Sequence, residues 1–541
     1  MSVLAWAYSR RRIEGLPFTL VNHKPLVACY EDDHPNQVFI KPAQVGVSEM
    51  AICKAAHALE VGARYWKTGK NGLNVGYLFP TNQALIDFSR ERISSLAEES
   101  DELAETFGKA ENDAALFKKI GDSYLYLRGA WSKKSLKAFA VDVLILDEYD
   151  EMDPEAIELA DKRIRASKVK RKIAISTPTI PGRGIHGLYL ESDQRVWEIP
   201  CANCAEWIEL DFFRDVWANG EVPYEEWQDW GKEQVHDATW DTHCPSCKQP
   251  LDRFADGRWT ARHPENKSIR GYHIPALCFP VVSLVNIITP LTSHNPTKIA
   301  EAYRSDLGLP YEAAGSRLTD GMLDRLDTDL EHGRLPRITS WQRVTMGVDV
   351  GSRLHYRVSA QEDRDGLRIV LDMGSVGEWD DLSELMRKYK VRMCVIDANP
   401  EGHKAKEWQK QWRNKVYRAF YPNGMAGKLW QIKHNDVGVV QINRTMAMDA
   451  VYDRIAGGEE EAWPTILINN PEVRNHMKAP IRVTRKNLHG EDVVQWIHTE
   501  RDDLFHACVY DMIAGEILPK RRFGAVLVQS KTKGWRNNYE G

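Results

Sequence analysis

Short apolar runs, separated by polar loops and amphipathic segments, recur through the first part of the chain. The runs at 37–40, 74–79, 141–146 and 172–176 are too short for helices, and they are apolar at most positions rather than at every second one. That pattern is typical of strands buried in a parallel sheet. Segments with helix-forming composition, 49–56 and 83–96, follow two of the runs. The pattern predicts an α/β fold with a parallel-rich sheet.

A second group of strands lies near the end of the chain. The segment 344–350 predicts a strand, 356–361 and 368–374 its antiparallel neighbours, and 391–397 a further strand before a last helix near residue 501. Because 541 residues exceed what one core usually holds, several domains are expected. We predict domains at 1–196, 197–260, 261–340 (a proline-interrupted connector), 341–518 and 519–541 (a basic tail).

The composition indicates a globular protein but does not indicate its function. Hydrophobic residues at 43% and charged residues at 28% are ordinary for a soluble globular protein. Apolar runs stay below membrane-spanning length, and the basic cluster Arg10 to Arg12 lacks a following hydrophobic region, so we expect a cytoplasmic protein without a membrane partner. The net charge of −5 offers no global attraction to nucleic acid, so DNA contacts must come from local basic faces.

An acidic pair, Asp147 and Glu148, ends the most apolar of the predicted strands. Doubly wound sheets bind ligands at the carboxyl ends of their strands. In a nucleotide hydrolase the first acid holds Mg²⁺ through water and the second polarises the water that attacks the γ-phosphate. Taken alone, the pair is more often an exposed turn after a core strand.

A glycine-bearing loop, Lys41 to Ser48, joins a predicted strand to a predicted helix, which is the context of a phosphate-binding loop. The match to the usual loop is poor, because Lys41 stands in place of the first glycine and Val47 in place of the lysine before Ser48. A plain strand-to-helix turn is the alternative. Ser176 and Thr177 end a further strand and are candidates for sensing the γ-phosphate.

Four of the nine cysteines form two Cys-x-x-Cys pairs, Cys201 with Cys204 and Cys244 with Cys247. Two such pairs can place four thiolates tetrahedrally around Zn²⁺, which predicts a structural zinc site in this segment. His243 is adjacent, but four cysteines already saturate the site. Seven of the 18 tryptophans fall in 197–260, where packing of a small module is favoured over stacking on a partner.

Acidic residues also mark the second group of strands. Asp349 lies in the first strand, Asp397 ends a later one, and Asp502 and Asp503 lie in the predicted last helix. Acids in this order are typical of RNase H-like nucleases, whose carboxylates hold two metal ions that activate water and stabilise the leaving oxygen. Each acid alone is more often a strand-end or helix-cap residue. Either Asp502 or Asp503 could be the third acid of such a nuclease, and His506 lies a few residues further along the chain.

The order of these motifs, together with Tyr77 to Thr81, Asp161 to Arg163 and Ser176 to Pro178, resembles the large subunit of tailed-phage terminases, in particular the lambda-like GpA family. That family shares the displaced lysine. One departure is Gln44, where many members have an arginine; Arg128, Arg163 and Arg165 are candidates to supply that charge.

The resemblance implies a P-loop-type ATPase, a zinc-ribbon-like insert and an RNase H-like α/β nuclease domain. It implies ATP-driven translocation of viral double-stranded DNA into the procapsid and metal-dependent endonucleolytic cleavage of concatemeric DNA. The implied partners are double-stranded DNA, a small terminase subunit, the portal protein and further copies of the chain in a ring, all in the host cell cytoplasm. The implied cofactors are ATP, Mg²⁺ (or Mn²⁺ at the nuclease site) and Zn²⁺.

The resemblance also gives the site residues their expected roles. ATP would be bound by Lys41, Gln44, Val45, Gly46, Val47, Ser48 and Asp147, with Mg²⁺ on Ser48 and Asp147 and with Glu148 as the catalytic base. Asp349, Asp397, Asp502 and Asp503 would hold the nuclease metals. Two other functions stay open: a helicase-nuclease of DNA repair, which should carry a second nucleotide-binding core, and a DNA scaffold that does not hydrolyse ATP.

Overall fold

The structure is a computed structural model, and the chain divides into two compact units between Ala313 and Ala314. Each unit is described by itself. None of the described helices is long and apolar enough to cross a membrane. The structure describes residues 1–518 except 94–95, 97, 101–102, 105–115, 131–135, 137–138, 294, 314, 328–342, 362–366, 423–424, 426, 434–435, 437, 487–491 and 499. The predicted basic tail, 519–541, lies outside the described residues.

The first unit alternates strands and helices. Its strands are β1 (Arg12–Ile13), β2 (Leu16–Pro17), β3 (Asn36–Ile40), β4 (Asn74–Phe79), β5 (Phe117–Ile120), β6 (Ser123–Gly129), β7 (Val143–Asp147), β8 (Arg171–Ser176), β9 (Arg195–Pro200), β10 (Trp207–Glu209), β11 (Val216–Ala218), β12 (Trp240–Thr242), β13 (Arg258–Ala261) and β14 (Arg270–His273). Its α-helices are α1 (Val3–Arg10), α2 (Leu26–Glu31), α3 (Val47–His57), α4 (Ala63–Tyr65), α5 (Asn82–Phe88), α6 (Pro154–Arg163), α7 (Gly184–Leu190), α8 (Phe212–Asp215), α9 (Tyr224–Trp227), α10 (Lys232–Asp237), α11 (Leu284–Leu291) and α12 (Pro296–Glu301). Short 3₁₀ or π turns occupy Ala58–Gly62, Ser89–Ile93, Tyr149–Glu151, Ala276–Cys278 and Ala302–Asp306.

One large sheet organises the first unit. Its order is β10-β9-β14-β3-β8-β7-β4-β6-β5, with β13 paired to the other side of β9. The strands from β9 to β6 are parallel, and β5, β10 and β13 pair antiparallel at the margins. Every residue of β7 is buried, as expected for a central parallel strand covered on both faces. The carboxyl ends of β3, β7 and β8 therefore lie side by side at one edge.

The second unit combines a mixed sheet with helices. Its strands are β15 (Arg343–Val350), β16 (Leu354–Gln361), β17 (Arg368–Val376), β18 (Met393–Asp397), β19 (Val416–Phe420), β20 (Trp430–Ile432), β21 (Val439–Ile442), β22 (Glu461–Ala462), β23 (Pro480–Lys486) and β24 (Asp492–His498). Its helices are α13 (Asp320–Asp324), α14 (Trp379–Lys388), α15 (Gly402–Gln411), α16 (Arg444–Gly457), α17 (Thr465–Ile468), α18 (Pro471–Lys478) and α19 (Asp503–Ile517). The larger sheet has the order β20-β21-β19-β18-β15-β16-β17-β22, and β23 pairs with β24 in a hairpin.

The core of the second unit has RNase H-like topology. An antiparallel meander of β15, β16 and β17 is extended on the other side of β15 by the parallel strands β18 and β19. Helix α19 crosses β15 so closely that a Cβ atom on Gly347 would lie 2.1 Å from the carbonyl oxygen of Ala507. Asp511 of α19 is fully buried and accepts hydrogen bonds from Thr345 (2.5 Å) and Ser359 (2.6 Å). These contacts fix the helix on the sheet.

The predicted elements agree with the structure in type. The run predicted at 141–146 is β7, and the four strands predicted in the last third are β15 to β18. The helix predicted at 83–96 begins as α5 and continues as a π turn to Ile93. The α/β fold class and the parallel-rich sheet are confirmed. The division between the two units falls within the range predicted as a connector.

Candidate functional sites

The Lys41–Ser48 loop leaves β3 and enters α3 through residues with unusual backbone angles. Gln44 and Gly46 have φ values of 59° and 86°, in the left-handed region. Gly46 caps α3 without a side-chain hydrogen bond, so the first amides of the helix have no partner inside the helix and face the loop. Unsatisfied amides at a helix N-terminus attract phosphate oxygens. The loop therefore has the local geometry of an anion cradle.

Lys41 lies at the start of this cradle and contacts the end of β7. Its backbone amide donates to the carbonyl of Ser176 (3.1 Å), which fixes the residue at the strand ends. Its ammonium group lies 3.0 Å from Oε1 of Glu148. Glu148 has a φ of 60°, a conformation that costs energy for a non-glycine residue and is common at functional sites. The displaced lysine and the predicted base are thus brought together across the sheet edge.

Asp147 is the more buried member of the acidic pair. Ser48 Oγ lies 3.4 Å from its Oδ1, and the hydroxyl of Tyr77 donates to its Oδ2 at 2.7 Å. Burial, together with the charge of Glu148, raises the pKa of Asp147 to about 6, against the opposing effects of Lys41, Tyr77 and Ser48. Tyr77 was noted in sequence only as part of a motif; its contact with Asp147 depends on the parallel pairing of β4 with β7.

A cleft of about 590 Å³ opens over these groups, which is the size range of nucleotide sites. Its lining includes all the predicted loop residues from Gln44 to Ser48, with Lys41 and Glu148. Arg92 also lines it, next to Phe88. Of the three arginines suggested from sequence, Arg128 donates to the carbonyl groups of Leu116 and Leu127, and none lines the cleft that the described residues form. Arg92 was missed because nothing in its local sequence marks it.

The end of β8 is tied to the segment after Glu148. The amide of Asp150 donates to Ser176 Oγ at 3.2 Å. The carboxylate of Asp150 accepts from the amide and hydroxyl of Thr179 (2.8 and 2.7 Å) and from the amide of Ile185 (2.6 Å). Ser176 thus contacts the segment that follows the acidic pair, and Thr179, three residues further on, binds the carboxylate of Asp150. Asp150 was not singled out from sequence.

The four paired cysteines converge at the margin of the same sheet. The distances Cys201 Sγ to Cys247 Sγ and Cys204 Sγ to Cys244 Sγ are both 3.7 Å, and all four sulfur atoms lie within 4.8 Å of one another. A tetrahedron with Zn–S bonds of about 2.3 Å has edges of about 3.8 Å. A disulfide needs only about 2.05 Å. The cluster therefore fits Zn²⁺ and not two disulfides.

The two Cys-x-x-Cys pairs have the same backbone conformation. Each second cysteine is followed by a residue with positive φ, Ala205 (62°) and Lys248 (61°), whose amide donates back to the carbonyl of the first cysteine of its pair. Hydrogen bonds from Asn203 and from the Gln249 amide lower the pKa of Cys247, whereas the neighbouring cysteines raise the pKa of Cys204. His243 stacks on Trp217 with ring centroids 4.6 Å apart and is not part of the cluster.

In the second unit, Asp349 and Asp397 lie at the carboxyl ends of adjacent strands. The parallel register pairs Val348 with Ile396, so that the next residues on β15 and β18 are the two aspartates. Burial, and then the charges of Asp397, Asp503 and Asp502, raise the pKa of Asp349 to about 7, although His506 opposes the shift. Burial also raises the pKa of Asp397. Burial thus disfavours the charged form of both acids, and a bound cation would stabilise that form.

The structure separates the two candidates for the third acid. Asp502 Oδ2 lies 3.5 Å from His506 Nε2, and His506 is among the groups acting on Asp349 and Asp397. Asp503 instead faces His355 and His476 and is held by Arg501. The pairing of Asp502 with His506, which acts on both strand acids, makes Asp502 the candidate for the third ligand, while the charge of Asp503 also raises the pKa of Asp349.

The acidic cluster fits divalent metal ions. Asp502 Oδ2 is buried and has only long contacts among the described residues, 3.5 Å to His506 and 3.8 Å to His498, so a bound cation would compensate its charge more fully. Carboxylate oxygens are the ligands that Mg²⁺ and Mn²⁺ prefer. Asp349, Asp397 and Asp502 form the candidate metal centre.

The sheet order, the strained acidic loop and the phosphate cradle define the first unit as a P-loop-type ATPase. Residues 24–261 match the family model of the phage terminase large subunit gpA, ATPase domain. Residues 24–261 are thus similar to that family, which confirms the resemblance inferred from the motifs. No curated protein matches the chain.

Solved structures with similar folds are also phage terminases. The large terminase of a thermophilic bacteriophage, in its crystal form 3, is 13% identical, with 93% of this chain and 100% of that chain covered and a TM-score of 0.33. The large terminase nuclease of the thermophilic phage G20c is 12% identical, with 36% of this chain and 95% of that chain covered and a TM-score of 0.24. At these identities and TM-scores the likeness carries no argument about the roles of this chain's residues.

Proposed function

We propose that the chain is a terminase large subunit whose first unit hydrolyses ATP to move viral double-stranded DNA into a procapsid and whose second unit cuts concatemeric DNA. The observation that carries the proposal is the Lys41–Glu148 contact in a cleft that also holds Ser48. A plain strand-to-helix turn would not bring these groups together. The separate acidic cluster supports a second activity on a different phosphate.

In the first unit, the loop amides and Lys41 would bind the β- and γ-phosphates of ATP. Ser48 and Asp147 would hold Mg²⁺, which neutralises charge developing on the phosphates when it is bound. With nucleotide present, Lys41 would exchange its contact with Glu148 for the γ-phosphate, and the freed carboxylate would orient the attacking water. Ser176, which accepts from Asp150, would pass the loss of the γ-phosphate to β8, with Thr177 beside it.

In the second unit, Asp349, Asp397 and Asp502 would hold the metal ions, which activate water and stabilise the leaving oxygen when bound. His506, paired with Asp502, limits the negative charge of the cluster. We further propose, from the family, that the small terminase subunit, the portal protein and further copies of the chain are its partners. On this proposal the protein acts in the host cell cytoplasm, where concatemeric phage DNA is packaged.

Reciprocal substitutions in the full chain test the two-site proposal. Glu148→Gln should abolish DNA-stimulated ATP hydrolysis and leave Mn²⁺-dependent nicking of plasmid DNA intact, and Asp349→Ala should do the reverse. Glu151→Gln and Asp380→Asn, at exposed positions of the same units, are the matched controls. Loss of both activities in both variants would contradict the assignment.

Packaging itself needs a separate assay. Purified chain, small subunit, procapsids and ATP should protect DNA from nuclease digestion, and Glu148→Gln should remove that protection. ATP hydrolysis and nicking without any protection would favour a helicase-nuclease of DNA repair.

A further inference from the structure

Three side chains from different elements converge beside the acidic cluster of the second unit. They are His355 of β16, His476 of α18 and Asp503, the first residue of α19. Their ligand atoms lie within 4.8 Å of one another. Asp503 Oδ2 lies 3.6 Å from His355 Nε2 and 4.0 Å from His476 Nδ1. One carboxylate oxygen therefore faces two imidazoles.

His355 is the informative member of the group. Its side chain is 0% exposed, and neither ring nitrogen has a hydrogen-bond partner in the described part of the chain. Burying a polar group without a partner costs free energy, so native structures almost always satisfy such groups. The unpartnered nitrogen nearest Asp503 points to a ligand that the protein itself does not supply.

His476 presents the kind of nitrogen that a metal requires. Its Nδ1 accepts from the amide of Leu504 at 3.3 Å, so this nitrogen carries a lone pair and the ring proton lies on Nε2. The same nitrogen is the one that faces Asp503. A metal ion bound between His476 Nδ1 and Asp503 Oδ2 would replace the 3.3 Å hydrogen bond from the Leu504 amide.

We propose that His355, His476 and Asp503 form a binding site for a divalent transition metal of the Zn²⁺ or Mn²⁺ class, beside the Asp349, Asp397 and Asp502 cluster. Two imidazoles and one carboxylate suit such ions better than Mg²⁺, which prefers oxygen ligands. Three protein ligands leave coordination positions open. The site is independent of ATP hydrolysis and of the four cysteines.

The surroundings of the site allow entry of an ion. A cavity of about 400 Å³, lined by His476 with Glu472, Asn475, Glu500 and Arg501, opens beside it. In this structure the guanidinium of Arg501 contacts Asp503 at 2.9 Å, but Arg501 is 55% exposed. An exposed ion pair contributes little free energy, so a metal ion can displace it.

The position of the site suggests its role. His355 is the cross-strand partner of Asp349, and side chains of directly paired residues project from the same face of a sheet. A metal bound there would join β16 and α18 to the first residue of α19, directly after Asp502. We infer that it holds the N-terminus of α19, and with it the third nuclease acid, against the strands.

Metal counting on the full chain tests the site. Purified protein is stripped of metal, dialysed against limiting Zn²⁺ with excess Mg²⁺ to occupy the oxygen-only sites, and analysed by mass spectrometry for bound zinc. Wild type should retain one equivalent of zinc more than His476→Asn, a substitution whose amide can still accept from Leu504. His403→Asn, at an 86% exposed position of the same unit, is the control and should keep the full amount.

Two further variants separate this site from its neighbours. Cys204→Ser should lose the sulfur-bound zinc but keep the zinc that His476→Asn loses, and His355→Asn should repeat the His476→Asn result with an unchanged melting temperature in the metal-free state. Equal zinc contents in wild type and His476→Asn would overturn the proposal. It would also be overturned if Asp349→Ala, rather than His476→Asn, removed the extra equivalent.

Discussion

The ammonium group of Lys41 lies 3.0 Å from the carboxylate of Glu148, although the lysine stands at the start of its loop and not directly before Ser48. The β3 and β7 strands are separated in the sheet only by β8, so the two strand ends lie close enough for the long lysine side chain to reach the acid. The lysine therefore reaches the acidic pair although its position in the loop sequence differs from the usual one.

Replacing this lysine should disable the ATP site without unfolding the unit. Lys41→Met keeps the length of the side chain but removes the charge that would bind the γ-phosphate, so ATP hydrolysis should fall by about 100-fold or more, as on loss of a single preorganised donor. Steady-state ATPase rates would measure this. Lys162→Met, on the exposed side of α6, should retain the wild-type rate. Comparable rates in the Lys41 variant and wild type would contradict the role given to this lysine.

A close approach of helix to strand in the second unit depends on Gly347. Gly347→Ala would place a methyl group 2.1 Å from the Ala507 carbonyl oxygen and 2.2 Å from the Asp511 amide, so α19 would have to move off β15. We expect a loss of about 3 kcal/mol of stability and reduced nicking, because Asp502 moves with the helix. Urea unfolding and plasmid nicking would measure the two effects. Gly402→Ala, where an added Cβ meets nothing within 4 Å, should leave both unchanged.

A buried histidine should make the first unit sensitive to acid. His273 Nε2 contacts the carbonyl of Gly308 at 3.1 Å, and burial lowers the pKa of His273 to about 4. The unfolded chain binds this proton near pH 6.5, so the stability that neutral His273 contributes is complete above pH 6.5 and is lost as the pH falls towards 4. Between pH 7 and pH 5 the loss should be on the order of 1–2 kcal/mol.

His273→Gln isolates this effect, because glutamine does not titrate. The difference in unfolding midpoint between wild type and variant should shrink or reverse on going from pH 7 to pH 5. If the two proteins lose stability in parallel over this range, His273 does not contribute to the acid response.

Zinc should stabilise the sheet margin formed by β9 and β10. Cys204→Ser removes one of four thiolates, so the protein should lose its sulfur-bound zinc and melt several degrees lower, since metal binding to such sites contributes directly to folding. Elemental analysis and thermal melts would measure this. Cys278→Ala, at a buried cysteine outside the cluster, should retain the metal. Full zinc content in Cys204→Ser would refute tetrahedral sulfur coordination.

Local sequence was sufficient to predict eight of the strands, the two cysteine pairs and the acidic residues at the strand ends. The uninterrupted apolar run of β7 predicts a buried strand whatever surrounds it, and Asp147 and Glu148 must then stand at its end. Cys-x-x-Cys spacing likewise defines a metal knuckle within a few residues. These features depend on neighbours along the chain, so a single sequence determines them.

Contacts between distant segments were decided only by the tertiary structure. The lining of the cleft by Arg92, the hydrogen bond from Tyr77 to Asp147 and the different partners of Asp502 and Asp503 depend on how strands pair and how α19 crosses them. His355 carries no sequence signal at all, because its importance arises from burial opposite Asp349. The local pattern of hydrophobic residues determines which segments become strands. The contacts of a side chain depend on the order and register of those strands in the sheet, and the hydrophobic pattern alone does not fix either of them.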